Sequence, residues 1–139
     1  MAAQPFAGVL VPVLTPFTPA GEPDPGRFVA FCRFLLDQGA DGLAIFGTTS
    51  EANSMSAGER MALLDRLVAA GVPPSRLMPG AGACSITEAA TLIRHAVGHG
   101  CGGVLMLRLA RSRPRLLIAE VAVNCSDEVC AGNRFSNIL

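Results

Sequence analysis

Four short segments of the chain consist almost entirely of apolar residues, without the alternation of apolar and polar positions that marks a half-exposed strand. Continuous apolar runs of this kind are typical of parallel strands that are covered on both faces. The pattern predicts four strands, at residues 8–14, 42–46, 77–81 and 102–107.

Three longer segments between these strands carry apolar residues at helical spacing and have similar end signals. Each begins after a residue whose side chain can cap the first turn, and each ends at a glycine. In the second and third segments a serine precedes a glutamate by three positions, the pattern of a capping box. The predicted helices begin after Asp24, Ser56 and Ser85 and end at Gly39, Gly71 and Gly100. Their predicted inner faces are Phe28, Phe31, Cys32 and Leu35; Met61, Leu64 and Val68; and Ile86, Ala89, Ala90, Ile93 and Val97.

The resulting order, β-α-β-α-β-α-β, indicates an α/β chain in which each helix connects two parallel strands. A doubly wound sheet fits this order, and so does the N-terminal half of a (β/α)8 TIM barrel. A complete barrel needs about 250 residues, whereas this chain has 139. The spacing of apolar residues does not choose between the two folds.

The composition argues against several classes of protein. The chain carries 11 basic and 11 acidic residues, without the basic excess on which nucleic-acid binding depends. No apolar run reaches the roughly 18 residues of a membrane span, and no basic residue of a secretory signal precedes Arg27. The cysteines are five in number and form no CxxC pair, which argues against a disulfide framework. We therefore expect a cytoplasmic protein that binds neither nucleic acid nor membranes.

The pattern of strands and capped helices stops after residue 107. Residues 1–107 carry six arginines and eight acids, a net charge of −2, whereas residues 108–139 carry five arginines and three acids, a net charge of +2. The arginine cluster from Arg108 to Arg115 could contact RNA or anionic lipid. Because no aromatic residues are interleaved with the arginines, we favour the interpretation that these charges are simply solvated. We expect a partial barrel domain at 1–107 and an Arg-rich tail at 108–139, which is disordered or supplies one strand around residues 116–123.

The most informative polar segment directly follows the second predicted strand and reads Phe46-Gly47-Thr48-Thr49-Ser50-Glu51. In parallel α/β folds, ligands bind at the carboxyl ends of the strands, where loops present backbone N–H groups. A glycine permits close approach of a ligand, and two hydroxyls with neighbouring amides can bind a carboxylate or phosphate. The alternative is a capping turn without a ligand. Residue chemistry alone leaves both interpretations open.

Two other features are weaker candidates. His95 and His99 lie four positions apart on the third predicted helix, a spacing that can bind a metal ion. No acidic residue stands between them in a HExxH arrangement, so we expect solvent-facing or helix-dipole roles and no metal site. The stretch Gly80-Ala81-Gly82 is at most part of a phosphate loop, and close backbone packing is favoured. We expect no cofactor.

Six segments, in order, resemble the dihydrodipicolinate synthase / N-acetylneuraminate lyase family, the pyruvate-dependent class I aldolases. The run from Gly47 to Glu51 is similar to the GTTGE motif of that family, and the first strand similarly ends in Thr15-Pro16-Phe17. Further matching segments are residues 34–42, Ser56 to Arg60, residues 77–82 and residues 102–107. The resemblance spans residues 6–107 and selects the half barrel over the doubly wound sheet.

The resemblance implies a site for a 2-oxo acid. It implies that Gly47, Thr48 and Thr49 bind the carboxylate of pyruvate or a related acid, and that Thr49 also joins a proton relay with a tyrosine. In the family, a lysine on a later strand forms a Schiff base, which turns the oxo acid into an electron sink. Ser50 stands where glycine is more usual, which leaves the particular substrate open. The family form is expected to be a homo-oligomer.

The sequence departs from the family after the fourth strand. It contains no lysine and no tyrosine, and it reads Arg108-Leu-Ala-Arg111-Ser112 where the family has a tyrosine-containing segment. We expect a truncated member, inactive alone, whose tail derives from a shifted reading frame, an insertion or a misassigned gene end. The alternatives are a non-catalytic half-barrel binding module and a structural chain that interacts through its tail. Because half a barrel leaves strand edges unpaired, we also expect self-association.

Overall fold

The structure, a computed structural model, describes residues 7–106 and the backbone of a strand at 121–123. Strands and helices alternate in it as predicted. The strands are β1 (Leu10–Pro12), β2 (Gly42–Ile45), β3 (Leu77–Pro79), β4 (Val104–Met106) and β5 (Val121–Val123). The helices are α1 (Pro25–Asp37), α2 (Ala57–Ala69) and α3 (Ile86–Gly98), with short 3-10 turns at Ala52–Ser54 and Pro74–Arg76. Within the described residues, no helix combines the length and the apolar character needed to cross a membrane.

The first three strands form a parallel sheet in which β2 is central. Leu43 lies opposite Val11 on one side and opposite Leu77 on the other. Four strands are predicted for this sheet, but β4 joins it only through a parallel bridge between Gly80 and Leu105. One reason is that β3 ends in a proline, which has no N–H to continue the ladder.

The fourth strand pairs antiparallel with β5, which lies inside the stretch 116–123 where the sequence allows a strand. The rest of the tail at 108–139, including the arginine cluster from Arg108 to Arg115, lies outside the described residues.

The helices begin and end where their end signals predict. Each capping side chain accepts a hydrogen bond from the N–H group three residues further on; the caps are Asp24, Ser56 and Ser85. The glycines after the helices all adopt positive φ; they are Gly39, Gly71 and Gly100. The capping box is complete in α2, where the Glu59 carboxylate accepts from the Ser56 N–H at 2.8 Å. In α3 the described cap consists of the Glu88 N–H donating to the Ser85 hydroxyl, which is half of the predicted box.

The hydrophobic core lies between the sheet and the three helices. The prediction for α1 is confirmed at Phe28 and Cys32, which are both fully buried. The inner faces predicted for α2 and α3 are partly wrong. The deepest residues of these two helices are Arg60, Leu63, Leu64 and Leu67 in α2 and Leu92 and Ala96 in α3.

Ile86 is the clearest of these errors, since it is 72% exposed. Each helix packs against a neighbouring helix as well as the sheet side of the core, so apolar residues flank the deepest row on both sides. Spacing along the chain shows that such a stripe exists, but it does not show which row lies deepest.

Candidate functional site

The loop between β2 and α2 has a tightly turned backbone. Phe46 and Glu51 have φ angles of 59° and 55°, left-handed conformations that residues other than glycine seldom adopt. Within this loop, the N–H groups of Ser50 and Ala52 donate to the carbonyl of Gly47 at 3.1 and 3.3 Å. These bonds fold the predicted binding segment into a compact turn immediately after the strand.

Ser50 attaches this loop to the chain that follows β1. Its side chain is completely buried, and its hydroxyl donates to the Val13 carbonyl. The residue does not contribute to the lining of the adjacent cleft. The serine that departs from the family motif is therefore a structural anchor between two loops.

An open cleft with a cavity volume of about 40 Å³ lies at the carboxyl ends of β2, β3 and β4. Its lining residues are Phe46, Gly47, Thr48, Ala52, Asn53, Gly80, Gly82 and Leu105. Of the three predicted binding residues, Gly47 and Thr48 line this cleft. Thr49 is exposed and contributes no lining surface. The structure thus brings two of the three directly to the cleft.

Thr48 and Thr49 present hydrogen-bond donors that the described part of the protein does not use. Both residues are exposed, and within residues 7–106 no backbone carbonyl accepts a hydrogen bond from either N–H. Two adjacent amides and two hydroxyls form a set of donors suited to an oxyanion. The arrangement can bind a carboxylate at the mouth of the cleft.

A buried arginine holds the loop after β3, which forms another part of the cleft wall. Arg60 is only 4% exposed; it donates to the Gly82 carbonyl at 2.9 Å and also to the Gly80 carbonyl. Burial lowers the pKa of Arg60, and the charge of Glu88 opposes this shift. The sequence predicts no role for this arginine, although it stands in the segment that resembles the start of the second family helix.

Gly80 lies against the end of β2. A Cβ atom at this position would lie 2.1 Å from the Phe46 carbonyl oxygen and 2.7 Å from its carbonyl carbon. The Gly80 N–H donates to the Ile45 carbonyl at 2.7 Å, which keeps the two chains at this separation. This glycine therefore meets a packing requirement, in agreement with the interpretation favoured from the sequence.

The two histidines lie beside an acidic residue of the neighbouring helix. Asp65 Oδ1 in α2 is 2.8 Å from His95 Nε2 and 2.7 Å from His99 Nε2. The histidine side chains are 26% and 29% exposed, so they are half-buried rather than solvent-facing. Among the residues that the structure describes, these three form the one group of histidine, cysteine or acidic side chains able to hold a metal ion.

Parallel strands joined by helices, with an open cleft at the carboxyl ends of the strands, are the arrangement found in (β/α)8-barrel enzymes. The family model described as "Dihydrodipicolinate synthetase family" matches residues 5–108. The chain belongs to this family, and its fold is the N-terminal half of the TIM barrel. The resemblance found in the sequence is thereby confirmed.

Individual relatives agree with this assignment. The 4-hydroxy-tetrahydrodipicolinate synthase of Synechococcus sp. (strain CC9902) is 32% identical over 107 residues, which are 77% of this chain and 35% of that protein. The crystal structure of dihydrodipicolinate synthase from Agrobacterium tumefaciens str. C58 has a TM-score of 0.73 at 32% identity, covering 78% of this chain and 38% of that one.

A further similar structure is a prophage protein of E. coli K12 from the dihydrodipicolinic acid synthase family, solved in complex with pyruvate. Its TM-score is 0.66 at 28% identity, over 78% of this chain and 37% of that one. The chain therefore spans little more than a third of the length of these relatives.

Proposed function

We propose that this chain supplies the oxo-acid-binding part of a pyruvate-dependent carbon–carbon lyase or synthase. The observation that carries the proposal is the pair Thr48 and Thr49 at the carboxyl ends of the strands: both residues are exposed, and within residues 7–106 no backbone carbonyl accepts a hydrogen bond from either N–H. Family membership supports the same assignment, since one related structure contains pyruvate. The match to the family model ends at residue 108, which supports a boundary between the domain at 1–107 and the segment at 108–139.

In the proposed site, the Gly47 region and the two threonines bind the carboxylate of the oxo acid. The half-buried Gly47 leaves room for the ligand beside the strand end, and Thr48 donates from within the cleft. Thr49 is proposed for the proton relay because this exposed residue directly follows Gly47 and Thr48, which bind the carboxylate in the proposed site. Anchoring of the loop by Ser50 keeps these donors in place before the ligand arrives.

The covalent step needs groups that these 139 residues do not contain. Lysine and tyrosine are both absent from the sequence. The amine that would attack the oxo-acid carbonyl, and the phenol of the relay, must therefore come from other residues. The amine would replace the carbonyl oxygen, which leaves as water, and give an iminium. Loss of a proton from the carbon next to the iminium would then give an enamine, which is a nucleophile toward an aldehyde.

Titration with pyruvate tests the binding step. We expect saturable binding by saturation-transfer NMR, weakened at least about tenfold in Thr48→Ala and Thr49→Ala, because each substitution removes a donor to a charged group. Thr87→Ala is the matched control, since this exposed threonine lies at the start of α3, outside the predicted site. A flat titration of the parent chain, or equal losses in all three variants, would contradict the proposal.

A non-catalytic binding module is the second candidate, favoured by the absence of lysine. Supplying the remaining C-terminal part of the Agrobacterium relative as a separate chain distinguishes the two functions. Borohydride trapping of pyruvate on a lysine of the supplied part, dependent on Thr48 and Thr49, supports the lyase. Saturable binding without trapping or turnover supports the module.

A further inference from the structure

We propose that Asp65, His95 and His99 form a binding site for a divalent transition-metal ion of the zinc, cobalt or nickel type. The site lies between α2 and α3 and uses none of the residues assigned to oxo-acid binding. The three potential ligand atoms, one from each side chain, all lie within 4.8 Å of one another.

The convergence of the two histidines follows from helix geometry. Residues four positions apart lie on the same face of a helix, and a chelating histidine pair has this spacing. The His99 N–H still donates to the His95 carbonyl at 3.2 Å, so the helical turn continues through both residues. Their rings meet edge to face with centroids 4.8 Å apart. Both imidazoles approach the same oxygen of Asp65 through Nε2.

One of these nitrogens has a close neighbour but no well-aligned hydrogen bond. His95 Nε2 is buried and lies 2.8 Å from Asp65 Oδ1, but this contact does not have hydrogen-bond geometry within the described part of the chain. The carboxylate oxygen instead makes its hydrogen bond with His99 Nε2 at 2.7 Å. A buried polar atom without a well-formed hydrogen bond requires an explanation. A metal ion that accepts its lone pair provides one.

The donor set selects the class of ion. Imidazole nitrogen suits zinc, copper and nickel, whereas calcium and magnesium prefer sites made of oxygen. Two nitrogens and one carboxylate leave a fourth position open to water on a tetrahedral ion. With bonds of about 2.1 Å, such an ion holds its ligand atoms about 3.4 Å apart. Metal binding would therefore require Asp65 Oδ1, now 2.8 and 2.7 Å from the two nitrogens, to withdraw by about 0.6–0.7 Å. It would also require the ligand atoms that now lie up to 4.8 Å apart to approach each other.

The sequence predicts no metal at the histidines because no acidic residue stands between them in a HExxH arrangement. The acid instead comes from α2, 34 residues before His99. Arg60 lines a small hollow together with His95. Its guanidinium donates to the carbonyls of Gly80 and Gly82, so it is held toward the loop after β3.

The test is a titration of the chelator-treated 139-residue chain with Zn²⁺ by calorimetry and with Co²⁺ by visible absorption. We expect one ion per chain and a Co²⁺ spectrum of nitrogen and oxygen ligands. Binding should weaken at least about tenfold in His99→Gln and in Asp65→Asn, because each substitution removes a ligand. It should also weaken in acid, where a protonated imidazole has no lone pair to donate.

Matched controls separate this site from other ligands. Asp37→Asn removes an exposed acid of α1 and should leave the affinity unchanged. Cys84→Ser removes an exposed thiol and should likewise leave binding intact. His95→Gln should also weaken metal binding. If that variant fails to fold, His99→Gln alone decides whether the histidines bind the ion. Sub-stoichiometric binding, a sulfur-to-cobalt absorption band, or an affinity unaffected by His99→Gln would overturn the proposal.

Discussion

Replacing Gly80 with alanine tests whether close contact between the ends of β2 and β3 holds the cleft together. The new Cβ would lie 2.1 Å from the Phe46 carbonyl oxygen, whereas ordinary contacts begin at 3.4 Å. The oxygen would have to withdraw by about 1.3 Å, the difference between these distances. It belongs to the backbone of a residue already held at a φ of 59°. We expect a loss of about 3 kcal/mol, the upper end of the usual range for overpacking.

Gly82→Ala is the matched control for this substitution. Gly82 lines the same cleft, but its Cβ would meet nothing within 4 Å and its φ is not in the left-handed region. We expect its stability to stay within about 0.5 kcal/mol of the parent, or to rise slightly because alanine restricts the unfolded chain. Urea unfolding followed by far-ultraviolet circular dichroism measures both variants. Equal unfolding midpoints for Gly80→Ala and Gly82→Ala would refute the packing argument.

Three further predictions follow from individual side chains. Ser50→Ala should lower the free energy of unfolding by about 1–3 kcal/mol in urea titrations, because it leaves a buried carbonyl without its donor. Hydrogen bonds from Ser56 lower the pKa of Glu59, so its stabilisation should be complete above the ordinary value of 4.5 and disappear as pH falls through the lowered pKa. The melting temperatures of the parent and Glu59→Ala should therefore converge in acid; a gap that is independent of pH would argue against this. Burial raises the pKa of Cys32 to about 12, so native-state alkylation mapped by mass spectrometry should modify exposed Cys84 and leave Cys32 unmodified.

Features formed by neighbours in the sequence were predictable. The caps at Asp24, Ser56 and Ser85 act on N–H groups only three residues away, so the local sequence carries all the information they require. The same is true of the apolar runs that became strands, and of the position of Thr48 and Thr49 at a strand end. Whether these threonines bind an oxo acid stays a prediction, since the ligand's other contacts are not local.

The features that required the tertiary structure join residues that are distant in sequence. Arg60 reaches a carbonyl 20 residues away at Gly80, and Ser50 reaches one 37 residues away at Val13. The inner face of α3, on which Ile86 was wrongly placed, also depended on what packs around the helix.

The sequence by itself determined the order and ends of the elements and the family to which the chain belongs, because hydrophobic spacing, capping and motifs are local. The folded structure decided how each loop is held and which side chains meet between helices. Asp65 was an unremarked acid of α2 in the sequence, and the packing of α2 against α3 placed it between two histidines. Such a site depends on the distance and angle between two helices, and the spacing of residues along one helix does not predict either of them.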